Sequence, residues 1–252
     1  MKTSTSSSHR PQLIFGTRAI LETILAGKTI DKVFIDKAAN NPLRKELLSL
    51  IRKHQIAYSL APAAKLNKLT SKNHQGAVAY LSPITLAPLD HIVQSCYEKG
   101  KAPLLLLLDG ITDVRNFGAI VRTAACTGVD AVVIPSQGSA PIGGEAMKTS
   151  AGALAHVPIC RVGNLYETIQ YLHESGLQVI ACSEKATTSL YKTDLSLPLA
   201  LLLGSEDKGI APQHLKLADK MVQIPLSGPI GSLNVAVAAA VVLYEHVRQR
   251  LI

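Results

Sequence analysis

Apolar positions recur at helical and then at strand spacing along nearly the whole chain, and this alternation is the first indication of its architecture. Thr17 to Gly27 (TRAILETILAG) combines a capping residue, apolar positions at helical spacing and a terminal glycine, which predicts a helix. DKVFID at 31–36 predicts a strand, and PLRKELLSLIRKH, opened by Pro42, predicts a second helix. IAYSL and GAVAYL predict two more strands around a basic helical turn, KLNKL. Together these outline a small α/β domain over residues 11–82. The next stretch, 83–102, is proline-rich, carries one short predicted helix and reads as a linker.

From residue 103 the pattern changes character. LLLLLD is a continuous apolar run of the kind found in strands buried on both faces. Helix and strand signals then alternate: FGAIVRTAACTG, DAVVIP, GEAMKTSAGAL, VPIC, YETIQYLHESG and LQVIAC. PLALLLG, a short helix opened by Pro212, the strand MVQIP and a long C-terminal helix follow. The expectation is an α/β domain over 103–252 with a parallel, mostly buried sheet and helices on both faces. Residues 1–10, MKTSTSSSHR, are serine-rich without an apolar core, which predicts a flexible start and no secretion signal.

Composition narrows the classes. Of 252 residues, 47% are hydrophobic and 17% charged, which supplies a core and excludes global disorder. The longest apolar runs, Leu104–Leu108 and Val235–Tyr244, fall short of the roughly 20 residues a membrane helix needs. Cys96, Cys126, Cys160 and Cys182 form no CxxC or CxxH pair, so no metal site is expected and reduced thiols in a cytoplasmic protein are. The net charge of +8 is unevenly placed. Residues 1–100 hold 14 Lys/Arg against 6 Asp/Glu, whereas residues 101–252 hold 12 of each. An excess confined to the front of the chain suits a polyanionic partner, whose condensed counterions are released on binding.

Familiar nucleotide and hydrolase signatures are missing. GSEDKGI lacks the Lys-Ser/Thr pair of a phosphate loop, and there is no GxGxxG, GxSxG or histidine pair at metal-ligand spacing. Polar residues instead gather after the apolar runs, where ligands bind in open α/β sheets. After LLLLLD come Asn116, placed to cap a helix, Gly118 and Arg122. After PLALLL comes Glu206 on a glycine-bounded loop, and after MVQIP come Ser232 and Asn234 at the start of an apolar helix. Each has a structural explanation as a cap, a surface acid or a solvated arginine. Three such loops in one domain favour a site.

These three segments, NFGAIVR, LLLGSEDKGI and IPLSGPIGSLNVAVAAAVVLYE, resemble the three ordered motifs of the SpoU (TrmH-type) RNA 2′-O-ribose methyltransferases of the SPOUT superfamily. The front domain, with His74-Gln75-Gly76 before its last strand, resembles the L30e-like substrate-binding module of the RlmB-type members, which act on large-subunit ribosomal RNA. The resemblance implies a trefoil-knotted sheet, a homodimer with sites near its interface, and S-adenosylmethionine held without a metal. It implies that Gly204, Ile224, Leu226 and Leu233 line the cofactor pocket. It also implies that Asn116, Arg122, Glu206, Ser232 and Asn234 serve catalysis on a guanosine of 23S rRNA, with no membrane or DNA partner.

A ribose hydroxyl must lose its proton as it attacks the methyl group. Arginine is a poor base because its unperturbed pKa exceeds about 12, so Arg122 is expected to stabilise the developing alkoxide and bind phosphate. Alternatives are a tRNA or resistance-type rRNA methyltransferase, a non-catalytic RNA-binding or ribosome-assembly protein, and a dinucleotide oxidoreductase, the last disfavoured by its missing fingerprint.

Overall fold

The structure is a computed structural model that describes residues 12–40 and 42–251; the serine-rich start and the flexibility expected of it lie outside the described residues. The chain divides into two compact units, Met1–Ile84 with Ile142–Gly144, and Thr85–Pro141 with Glu145–Ile252.

The first unit contains β1 (Leu13–Phe15), α1 (Thr17–Leu25), β2 (Ile30–Asp36), α2 (Pro42–Lys53), β3 (Ala57–Ala61), α3 (Ala63–Leu69) and β4 (Ala77–Leu81). The sheet order is β1-β4-β2-β3, with β3 parallel to β2 and β4 antiparallel to both its neighbours. Successive β2 side chains point to opposite faces. Val33 and Ile35 therefore meet Ile20, Leu47 and Ile51 of α1 and α2, while Phe34 meets Leu66 of α3. Strand β1 escapes sequence prediction because three residues, LIF, are too few to show alternation; pairing of Leu13 with Tyr80 and Phe15 with Val78 creates it. His74-Gln75-Gly76 is a turn: the Gly76 N–H donates to His74 Nδ1 at 3.1 Å, and Thr17 Oγ1 donates to the Gln75 carbonyl at 3.0 Å.

The second unit contains α4 (Leu89–Glu98), β5 (Leu104–Asp109), α5 (Val114–Thr127), β6 (Ala131–Pro135), α6 (Gly144–Thr149), β7 (Ile159–Val162) and α7 (Leu165–Glu174). It continues with β8 (Gln178–Cys182), β9 (Thr188–Ser189), β10 (Leu199–Gly204), α8 (Pro212–Leu215), β11 (Lys220–Gln223) and α9 (Val235–Arg250). The order is β7-β6-β5-β10-β8-β11-β9, and every pair is parallel, as the continuous apolar runs predict. The two Leu-rich strands β5 and β10 lie side by side in the centre, with Leu104–Leu108 and Leu199–Leu203 almost wholly buried. Insertion of β10 between β5 and β8 reverses the direction of strand progression, and such a switch opens a crevice at the carboxyl ends of the strands. Among the described residues no helix is long and apolar enough to cross a membrane.

Several expectations are corrected. Of residues 83–102, read from sequence as a linker with one short helix, 85–102 group with the second unit, where that helix is α4 and buries Val93 and Cys96. Helix α5 begins three residues before its predicted start, because Asp113 caps it by accepting from the Arg115 and Asn116 N–H groups, both at 2.8 Å. Asn116 is therefore not the cap. The helix predicted over 144–154 stops at Thr149, where Ala151 (φ 50°) and Gly152 (φ 85°) turn left-handed. The first ten residues of helix α9, Val235–Tyr244, are apolar all round in sequence, yet they expose Val237 (49%) and Tyr244 (54%) because within this chain the helix buries only one side, along α5.

Candidate active site

Three chain segments leave the carboxyl ends of β5, β10 and β11 and carry the polar residues singled out by sequence, Asn116 and Arg122 on helix α5 and the others on loops. The loop after β10 closes on itself: Gly209 N–H donates to the Ser205 carbonyl at 2.8 Å and Lys208 N–H to Ser205 Oγ at 3.2 Å. This fold-back brings the Gly209–Ile210 backbone against Gly204. A Cβ on Gly204 would lie 2.2 Å from both Gly209 C and Ile210 N, closer than any side chain tolerates. Glycine is required there by the chain's own backbone.

The end of β5 braces the same loop. Asp109, 14% exposed, accepts from Ala211 N–H at 2.8 Å and from His214 Nδ1 at 2.7 Å, and His214 is itself buried. Sequence reasoning did not select Asp109 or His214. A carboxylate ending an otherwise all-leucine strand was the available signal, since a buried acid needs partners.

Asn234 is where the three loops meet. Its Oδ1 accepts from Ala236 N–H at 3.0 Å and Val237 N–H at 3.3 Å, capping α9. Because those donors demand the oxygen, the amide nitrogen must face away from the helix. There it donates to Asn116 Oδ1 at 3.0 Å and to Glu206 Oε1. Glu206 Oε1 also accepts from Val235 N–H at 3.3 Å, so a carboxylate sits on the first turn of α9, the positive end of its dipole. Asn116, Glu206 and Asn234 are thus brought together from positions far apart in sequence. Ser232 is exposed and does not cap α9.

Beside this junction lies a cavity of about 310 Å³. Gly204, Ile224, Leu226 and Leu233 line it, as do Glu206 and Ser232. Cys182 contributes to its wall as a neutral thiol, since burial pushes its pKa up to about 12. Apolar walls, a glycine-rich backbone and a carboxylate at the margin suit a flat, partly apolar ligand bearing a cationic group. Among the described residues no three His, Cys, Asp or Glu side chains group as a metal site.

Arg122 is the exception. It is exposed on α5, does not line the cavity and has no polar partner among the described residues. Six residues after Asn116, it is rotated by roughly 120° to a different face and displaced about 9 Å along the helix. The chain does not bring it to the other four.

Residues 103–244 match the model of the SpoU rRNA Methylase family, and residues 13–87 match that for RNA 2′-O ribose methyltransferase substrate binding. A Staphylococcus saprophyticus relative of the TrmH family of tRNA/rRNA methyltransferases is 34% identical over 238 residues, covering 94% of this chain and 96% of its own. A Bacillus subtilis relative of the same description is 31% identical over 243 residues, covering 96% and 98%. The crystal structure of the SpoU methyltransferase AviRb from Streptomyces viridochromogenes, in complex with AdoMet, superposes with a TM-score of 0.61 at 25% identity, covering 95% of this chain and 90% of that one. Three motif loops meeting beside one cavity, and matches that span both units, lead to one conclusion: this chain belongs to the SpoU rRNA methylase family.

Proposed function

We propose that this protein transfers a methyl group from S-adenosylmethionine to a ribose 2′-hydroxyl of RNA, with a guanosine of 23S rRNA in the cytoplasm as its substrate. The observation that carries the reading is the Asn116–Asn234–Glu206 junction at the margin of a cavity lined by the four residues expected to hold the cofactor. The residues fit that cofactor. Ile224, Leu226 and Leu233 offer apolar surface for an adenine, and Glu206 places a negative charge for a sulfonium or ammonium group. When bound, S-adenosylmethionine supplies an already activated methyl group, so the protein's work is positioning and unmasking of the hydroxyl.

Asn234 holds Glu206 and Asn116 in one arrangement, and Ser232 adds a hydroxyl at the cavity margin. Arg122 stabilises the developing alkoxide and binds its adjacent phosphate. Since Arg122 lies outside the cavity of its own chain, the reading places it at the cavity of a second copy, in a homodimer with sites near the interface. The exposed apolar Val237 and Tyr244 on α9 support such an association. A trefoil knot through the loops of the second unit belongs to the same proposal.

Two experiments test it. Mapping 2′-O-methyl groups on rRNA and tRNA with and without the gene should show one rRNA guanosine lost; a missing tRNA methyl group instead would reassign the substrate. Mixing Arg122→Ala protein with Asn234→Ala protein should restore about a quarter of wild-type activity, because half the dimers then carry one intact composite site. No restoration would place Arg122 and Asn234 in the same chain's site.

A further inference from the structure

The first unit carries an arrangement that the methyl-transfer reading does not use. On the face of its sheet covered by α3, Lys32 Nζ lies 5.4 Å and Lys65 Nζ 5.2 Å from the centroid of the Phe34 ring. Lys72 Nζ lies 5.3 Å from the centroid of Phe15. Phe34 in turn meets Tyr80 edge-on at 6.1 Å. The register explains the grouping: Lys32 pairs with Tyr80 and Phe34 with Val78, which pairs with Phe15, so these residues share one side of the sheet.

Three features set this face apart from a generic basic surface. An ammonium over an aromatic face is attracted by the ring quadrupole, which restrains a lysine stem that is otherwise mobile. None of the three lysines makes an ion pair among the described residues, whereas Lys101 is paired with Asp130 at 2.5 Å. The sequence around Lys65 and Lys72 is also free of acids. Between Glu46 and Asp90 there is no Asp or Glu, while Arg52, Lys53, Lys65, Lys68 and Lys72 are all basic. Asp36, on the same side at the end of β2, is engaged with the Ala38 N–H at 3.0 Å.

We propose that the α3 side of this sheet is a docking surface for the RNA phosphate backbone, with Lys32, Lys65 and Lys72 as preset phosphate contacts. This rests on the RNA-methyltransferase reading and adds to it the surface and the mode of contact. The mode is electrostatic and independent of base sequence, because Phe34 is only 9% exposed and its ring is occupied by ammonium groups rather than open for base stacking.

The test uses the full chain and a fluorescently labelled oligouridylate, with anisotropy measured across a salt series. Lys32→Gln/Lys65→Gln/Lys72→Gln should weaken binding at least tenfold and reduce the salt slope by about 2, since each contact on a single strand contributes about 0.7. Lys28→Gln/Lys45→Gln/Lys53→Gln removes the same charge away from this face, two of the three from α2 on the opposite side of the sheet, and should weaken binding less than threefold with little change of slope. Lys32→Arg/Lys65→Arg/Lys72→Arg should bind nearly as wild type, which separates lost charge from lost folding. Equal losses in both glutamine triples, or none in the first, would overturn the proposal. So would phosphatidylserine vesicles that bind the wild type as tightly as the oligouridylate and respond alike to the substitutions. S-adenosylmethionine binding, read by calorimetry on the same proteins, should be unchanged in all of them. Its absence from the wild type would count against the methyltransferase reading alone.

Discussion

The amide nitrogen of Asn234 donates to Asn116 Oδ1 at 3.0 Å across 118 positions of sequence, and the same nitrogen reaches Glu206. One side chain thus caps α9 with its oxygen and joins two other loops with its nitrogen. The two duties can be separated by substitution.

Asn234→Ser should keep the helix cap and lose the junction, whereas Asn234→Ala loses both. The serine variant should melt near wild type, and the alanine variant should be about 1 kcal/mol less stable, the usual loss for a removed cap. Both should lower the single-turnover methylation rate by tenfold or more, because Glu206 and Asn116 are no longer held together. A serine variant with wild-type rate would reduce Asn234 to a cap.

Gly204→Ala places a methyl group 2.2 Å from the Gly209–Ile210 backbone. The loop must move, and overpacking of this kind costs about 1–3 kcal/mol. Calorimetry should show S-adenosylmethionine affinity falling together with melting temperature. If affinity fell while stability stayed at wild type, the glycine would be needed for the ligand and not for the chain.

Arg122→Ala should leave stability within about 0.5 kcal/mol, as expected for an exposed helix arginine, while lowering single-turnover methylation roughly a hundredfold. Arg122→Lys should rescue little if the planar fork is needed to grip alkoxide and phosphate together. A near-normal rate in the alanine variant removes Arg122 from the site.

His246 supplies a pH dependence. It is buried on α9 and its Nδ1 donates to the Leu195 carbonyl at 2.7 Å; burial, with the positive charges of Arg250 and Lys101, holds its pKa below the usual histidine value. The folded state therefore binds this proton less readily than the unfolded chain does. The stability it contributes is complete above about pH 6.5 and declines as pH falls below that value, by at most about 1.4 kcal/mol per pH unit. His246→Gln should be less stable at pH 7, and its melting temperature should fall less than that of wild type between pH 7 and 5. Parallel curves for the two proteins would exclude His246 as the titrating group.

Much of the second unit was legible from residues alone because a strand buried on both faces leaves an unmistakable record. LLLLLD and PLALLLG each became a central strand, and their shared character foretold a parallel sheet. The three polar loops were equally visible, since Asn116, Glu206 and Asn234 interrupt apolar surroundings. The two- and three-residue strands β9 and β1 left no such record, because they exist only through pairing with β11 and β4. Capping was misassigned for the same kind of reason: Asp113, Asn116, Ser232 and Asn234 are all competent cap residues, and only the folded backbone shows which N–H groups each can reach.

The sequence by itself determined which residues are apolar, charged or small, and hence the layers, the strand character and the chemistry available. Only the tertiary structure decided who meets whom. It joined Asn116 to Asn234, pressed the Gly209–Ile210 backbone against Gly204, and left Arg122 on another face of α5. Periodicity reports how each segment sorts between core and water, which is a local property. Contacts across more than a hundred residues depend on the order in which β10 and β11 enter the sheet, and no local pattern encodes that order.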